Sequence, residues 1–182
     1  MRPVLLALAA TLGCAGPAGE PGGFPPGSGS RVGDRLADFT LPDCDGNAVR
    51  LADVLAGGEA ALVVVAAGWC ASCVKEAGTL ERDVADRWGP RGLRIVQVLF
   101  EDALGAPAGP QFCREWRDRF GLSFPVVVDA DAAVAGALGA GGAAATPLHL
   151  VTDREAVVLY RAAGPVPPDL APFLDALLPP ER

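Results

Sequence analysis

The chain has 182 residues, 51% of them hydrophobic, with 22 acidic against 15 basic side chains and a net charge of −7. No cluster of Lys or Arg tracks a phosphate backbone, so nucleic acid is not an expected partner. Beyond the N-terminus no apolar run approaches the roughly 18 residues that suggest a membrane span, so the body reads as soluble.

Arg2 precedes the short apolar run Val4–Leu12, the pattern of a secretion signal. Leu12-Gly13-Cys14-Ala15 resembles a bacterial lipoprotein processing box, with Thr11 in place of the usual Leu three before the Cys. Residues 1–14 are therefore expected to be a signal that ends in a lipidated Cys14; an ordinary cleaved signal would leave that thiol discarded or idle. Residues 15–31, rich in Gly, Pro and Ser, cannot bury enough apolar surface to order themselves and read as a flexible linker. The expectation is export, with a lipid anchor on a bacterial membrane facing the periplasm or the cell exterior. Residues 32–182 make one domain of ordinary size. It is large enough to fold without disulfide support, which leaves a disulfide free for chemistry.

Asp38–Pro42 and Val49–Leu51 flank the turn residues Asp45-Gly46-Asn47 and predict a hairpin. Ala60–Ala67 is an almost unbroken apolar run, the pattern of a strand buried on both faces, and it ends at Gly68-Trp69-Cys70. The period then changes: Val74, Ala77, Leu80, Val84 and Trp88 recur every three or four positions, with Lys75, Glu76, Arg82, Asp83 and Asp86 on the polar side of an amphipathic helix. A second buried strand spans Leu93–Phe100. A Gly/Pro-rich loop over 101–110 leads to a helix on which Phe112, Trp116 and Phe120 share a face. Phe124–Asp129 reads as a strand, followed by an Ala-rich helix that runs out at Gly139, Gly141 and Gly142. Leu148–Val151 and Ala156–Tyr160 form an antiparallel pair about a polar turn, and a last helix carries Leu170, Phe173, Leu174, Leu177 and Leu178 on one stripe. Alternating strands and helices closed by a hairpin and a helix predict an α/β fold with a mixed central sheet flanked by helices and an N-terminal β-hairpin.

Cys70 and Cys73 stand three positions apart where a buried strand meets a helix, so both sulfurs face one side of its first turn. Unpaired amides and the positive end of the helix dipole stabilise a thiolate there. Thiols so placed have pKa values lowered to about 3.5–7.5 and act as nucleophiles. Cys70, at the exposed edge, is expected to attack a substrate disulfide, and Cys73 to resolve the mixed disulfide. A zinc half-site would want a second close pair of ligands, whereas Cys44, Cys113 and His149 are scattered singles, so no metal is expected. Two inert core cysteines would not explain their place at a helix start. A C-x-x-C pair beside a β–α–β pattern is the context of redox chemistry.

The Trp69–Cys73 motif, with Thr146-Pro147 before a late strand, resembles the thioredoxin superfamily. Val32–Phe39 and Phe124–Asp129 resemble its exported, membrane-anchored redoxin branch, and the likeness runs from about Arg31 to the last helix. It implies a thioredoxin fold, a cis Pro147 packed beside the disulfide, a Thr146 backbone that pairs with the substrate chain, and a substrate face made with Trp69. The implied partners are protein thiols or disulfides and a redox partner protein, with no cofactor. Ala71-Ser72 replaces the Gly-Pro or Pro-Pro common between the cysteines of the family. Val64 stands six before Cys70, where relatives often carry an acidic or amide proton relay; Glu76 is a possible substitute, although the helical pattern sets it among solvated residues.

With Cys14 lipidated and Cys70 paired to Cys73, an oxidising compartment favours a structural disulfide between the remaining Cys44 and Cys113. His149 is expected to be a satisfied strand histidine rather than a metal ligand. The function expected is a thiol–disulfide oxidoreductase, in the reducing direction, acting on exported proteins. A peroxiredoxin-like peroxidase is disfavoured because Ala67 stands where a Thr is needed three before the attacking Cys. A redox-inert binding or metal-delivery module is the remaining alternative.

Overall fold

The computed structural model describes residues 28–141 and 145–180. Cys14 and the expected processing site lie outside them. The hairpin comes first, with β1 (Thr40–Pro42) antiparallel to β2 (Ala48–Arg50). Asp43 organises its turn, accepting hydrogen bonds from the backbone N–H groups of Asp45 and Asn47, 2.8 Å each. The chain then enters a helix, α1 (Leu51–Ala56), that no sequence pattern announced; six residues are too few to display a helical period. Leu51, expected as strand, is its first residue.

The central sheet has the order β5-β4-β3-β6-β7, with β3 Ala60–Ala66, β4 Leu93–Leu99, β5 Val126–Val128, β6 Leu148–Asp153 and β7 Val158–Ala163. β3 pairs parallel with β4 and antiparallel with β6, so the sheet is mixed as expected. Every residue of β3 is buried. Its side chains alternate between two cores, as the pleat requires: Ala61, Val63 and Val65 join one cluster, and Ala60, Leu62 and Val64 the other. Each buried valine contributes about 1.5–3 kcal/mol relative to exposure.

The first core is closed by α1, by α4 (Pro110–Phe120) through Cys113 and Trp116, and by α5 (Ala133–Leu138) through Ala135 and Leu138. α4 opens on Pro110 and ends at Gly121, whose φ of 64° lies in the left-handed region that glycine tolerates. The second core lies under α2 (Ala71–Leu80), its continuation through a π turn at Glu81–Ala85 into α3 (Asp86–Trp88), and α6 (Leu170–Leu177). Asp175 ties α6 to this layer by accepting from Trp88 Nε1 at 2.9 Å, Arg87 Nη2 at 2.8 Å and Arg91 Nη1 at 2.6 Å. The Trp88 hydrogen bond, then Arg91, holds the Asp175 carboxyl below its ordinary range. Among the described residues no helix is long and apolar enough to cross a membrane.

Candidate active site

The site lies at the C-terminal end of the parallel strands, where β3 hands over to α2. Gly68 and Trp69 make the turn, and Cys70 is the N-cap of α2, its sulfur accepting the Cys73 amide N–H at 3.2 Å. Cys70 and Cys73 form a disulfide with Cα atoms 5.2 Å apart. Ser72 Oγ lies 3.2 Å from Cys70 Sγ, and α2 has no acidic residue in its first turn to oppose a negative sulfur. On opening of the bridge, two hydrogen-bond donors and the helix dipole favour a Cys70 thiolate. The expectation of an exposed Cys70 needs correcting: the residue is only 5% exposed, with Cys73 at 1%. The late loop covers it, bringing the Thr146 carbonyl oxygen 3.6 Å from Cys70 Sγ. The Thr146–Pro147 bond is cis.

Trp69 is held from the neighbouring strand end. Its Nε1–H donates to Glu101 Oε2 at 2.5 Å, and its ring meets Phe100 edge-on, centroids 6.3 Å apart. The Gly68 N–H donates to the Glu101 carbonyl at 2.9 Å. A Cβ on Gly68 would fall 2.5 Å from the Phe112 ring and 2.6 Å from the Ala103 nitrogen, so only glycine permits this approach of the 101–109 loop.

Glu76 does not join the solvated face of α2. It is 5% exposed and meets a fully buried His149, with Glu76 Oε1 2.6 Å from His149 Nε2. The sheet explains this. On β6, Leu148 and Leu150 face the first core and Val151 the second, so alternation turns His149 toward α2, where it stands opposite Val64 of β3. Glu76 Oε2 and His149 Nδ1 have no hydrogen-bond partner among the described residues. His149 is therefore satisfied at one nitrogen only.

The AhpC/TSA family model matches residues 32–161. The chain belongs to the AhpC/TSA family. A Mycobacterium tuberculosis protein named as a candidate peroxiredoxin is 34% identical over 110 residues, 60% of this chain. The match spans 64% of that relative's length. A hypothetical protein from Sinorhizobium meliloti superposes with a TM-score of 0.67 at 30% identity, covering 81% of this chain and 84% of the other. A candidate thiol:disulfide interchange protein DsbE from Chlorobium tepidum gives 0.65 at 23% identity, covering 81% and 96%, and shares the fold. The fold is thus the thioredoxin fold.

In this AhpC/TSA chain the structure brings Trp69, Cys70, Cys73, Thr146 and Pro147 together. Cys44 and Cys113 form a second disulfide elsewhere, with Cα atoms 5.0 Å apart, joining the hairpin loop to α4. Arg114 Nη1 donates to the Cys44 carbonyl at 2.8 Å, and Arg117 pairs with Asp45 at 2.8 Å across the same seam. Sequence reading missed Glu101 and Gly68 and undervalued Glu76. A signal for Glu101 existed: it stands two residues after the end of β4, and sites of parallel α/β sheets form beyond the carboxyl ends of their strands.

Proposed function

We propose that this protein is a thiol–disulfide oxidoreductase that reduces disulfides of exported proteins through Cys70 and Cys73. The observation that carries the reading is the Cys70–Cys73 bridge at the start of α2, with the Cys70 sulfur on the Cys73 amide and beside the Thr146 carbonyl. In the dithiol form the Cys70 thiolate attacks one sulfur of a substrate disulfide. A Cys70–substrate bond forms and the other substrate sulfur departs with the electron pair of the broken bond. Cys73 then loses its proton and attacks Cys70, releasing the second substrate sulfur. The substrate gains two electrons, the protein returns to its disulfide, and a partner dithiol must reduce it again. Insulin reduction by the purified protein tests this: wild type precipitates the freed B chain, and Cys70→Ser gives only the background rate.

The Mycobacterium relative's name favours a second reading, a peroxidase. There Cys70 would attack a peroxide O–O bond to give a sulfenic acid, which condenses with Cys73 to a disulfide and water. Ala67 in place of the threonine needed three before the cysteine weighs against it. Peroxide consumption faster than insulin reduction, in parallel assays with one reductant, would reverse the order of the two readings. For a metal-delivery module, no group of three or more His, Cys, Asp or Glu suited to a metal occurs among the described residues.

Export and anchoring through Cys14 complete the proposal, supported by the apolar run before it and the linker after it. Expression in a bacterial host with labelled palmitate tests it, with label and membrane association lost in Cys14→Ser.

A further inference from the structure

Cys70 is only 5% exposed, so a substrate disulfide must be carried to it on a protruding stretch of chain. The residues on either side of the substrate cysteine then lie along the rim of the site. Beside Gly68 that rim is the loop that follows β4. The loop crosses so close that a Cβ on Gly68 would meet the Ala103 nitrogen at 2.6 Å and the Asp102 backbone carbon at 2.7 Å. Leu104 comes next in the chain and is 93% exposed. Ordinary bond lengths and the roughly 3.8 Å step between Cα atoms set its Cα at most about 17 Å from that of Cys70, roughly five residues of extended chain.

A single exposed leucine is ordinary on a protein surface. This one differs in how firmly its backbone is held. The Asp102 carboxylate accepts the N–H groups of Leu104 at 2.8 Å and Ala106 at 3.0 Å, and the Asp102 N–H donates to the Ala106 carbonyl at 2.8 Å. Gly105, at a φ of 78°, lets the chain reverse directly after the leucine. None of these bonds uses the leucine side chain, so the turn does not need it for its own shape. A loop ordered before a partner arrives loses less freedom on binding. Among the described residues the other exposed large hydrophobics are Val32 and Val166. Val32 precedes Gly33, which bonds Val158 at the end of β7 away from Pro147, and Val166 lines a cavity with Arg87 and Trp88. Of the three, Leu104 is the one whose loop lies against the turn that carries the reactive bridge.

We propose that Leu104 is a specificity-determining residue that seats an apolar side chain of the substrate protein, within about five residues of its reacting cysteine. The proposal rests on the oxidoreductase reading above and narrows its substrates to proteins that present the cysteine on an extended, partly apolar stretch, as incompletely folded chains do. A small disulfide ends within a few bonds of its sulfurs and cannot reach the leucine. The contact is made alike before and during sulfur exchange, so it lowers KM and leaves kcat unchanged.

The test compares a protein disulfide with a small one in the full-length protein. Leu104→Ser should raise KM for insulin about tenfold, the lower end for burial of a leucine side chain, and keep kcat within about twofold. Reduction of hydroxyethyl disulfide and the thermal midpoint should match wild type, and Leu104→Met should restore the insulin KM. Disulfide-linked model peptides that carry either Leu or Ser close to the cysteine complete a double-mutant cycle. Wild type should favour the Leu peptide about tenfold, and Leu104→Ser should not distinguish the two. An unchanged insulin KM in Leu104→Ser, or a peptide preference that survives the substitution, would overturn the proposal. So would an equal loss on hydroxyethyl disulfide, which marks a disturbed site rather than a lost contact. A wild type that reduces neither insulin nor hydroxyethyl disulfide ends the underlying oxidoreductase reading, and this proposal with it, and that failure is recognised without any variant.

Discussion

The molecule carries the same covalent bond twice in two different settings. The Cys44–Cys113 bridge spans a separation of 69 residues and ties the hairpin loop to α4, with its residues 1% and 0% exposed. The Cys70–Cys73 bridge closes a separation of three at a helix start. Loop-closure entropy assigns about 4 kcal/mol to the first and about 2 kcal/mol to the second, so the long loop gains more from its bond. The short loop has what the long one lacks: the Cys73 amide on Cys70 Sγ, the Ser72 hydroxyl beside it and the unpaired amides of α2 behind it. Both bridges have a carbonyl oxygen beside them, Thr146 at 3.6 Å from Cys70 and Val126 at 3.6 Å from Cys44 and 3.5 Å from Cys113, so the donors at Cys70 are what distinguish it. Surroundings, rather than the bond, make one bridge suited to open and the other to stay closed.

The largest expected effect breaks that comparison if it fails. Cys70→Ser should abolish disulfide reduction while costing only about 2 kcal/mol of stability, the share of the short loop. Removing the other bridge by Cys44→Ala with Cys113→Ala should do the reverse. It should cost about 2–5 kcal/mol in denaturant unfolding, the range for a native disulfide, and leave insulin reduction by the folded protein close to wild type. Gly68→Ala sharpens the contrast by disturbing only the reactive bridge's surroundings. Its Cβ collides with Phe112 and the 101–109 loop, so a loss of about 1–3 kcal/mol is expected, as for overpacking. Activity should fall and Trp69 emission should change, with the Cys44–Cys113 bond untouched.

The smallest effect lies away from both bridges. Burial first, and then the Asp169 carboxylate that accepts its O–H at 2.9 Å, push the Tyr160 phenol from the ordinary 10.0 up to about 12. The unfolded phenol therefore ionises first. The contribution to stability is complete below the ordinary value and is lost as pH rises through that window. Denaturant midpoints should decline more steeply there in wild type than in Tyr160→Phe, with no change in the reactivity of either disulfide.

β3 and β4 were legible as strands because residues buried on both faces of a covered sheet cannot alternate with polar ones, and Ala60–Ala67 and Leu93–Phe100 read accordingly. The C-x-x-C pair was legible because strand and helix periods meet at Cys70. α1 was not, since six residues carry too little pattern. Glu76 was misread for a related reason: a helical period assigns a face by counting apolar residues, and a single buried carboxylate looks like any solvated one.

The sequence by itself determined the order of the longer strands and helices and the junction at which Cys70 and Cys73 stand, because hydrophobic periodicity and a three-residue spacing are local properties. Tertiary structure alone decided that Thr146 covers Cys70, that Glu101 holds Trp69, and that His149 reaches Glu76. Those contacts join residues 32–76 positions apart. They depend on the register of β6 against β3 and on the side-by-side ends of β3 and β4, which no stretch of chain encodes alone.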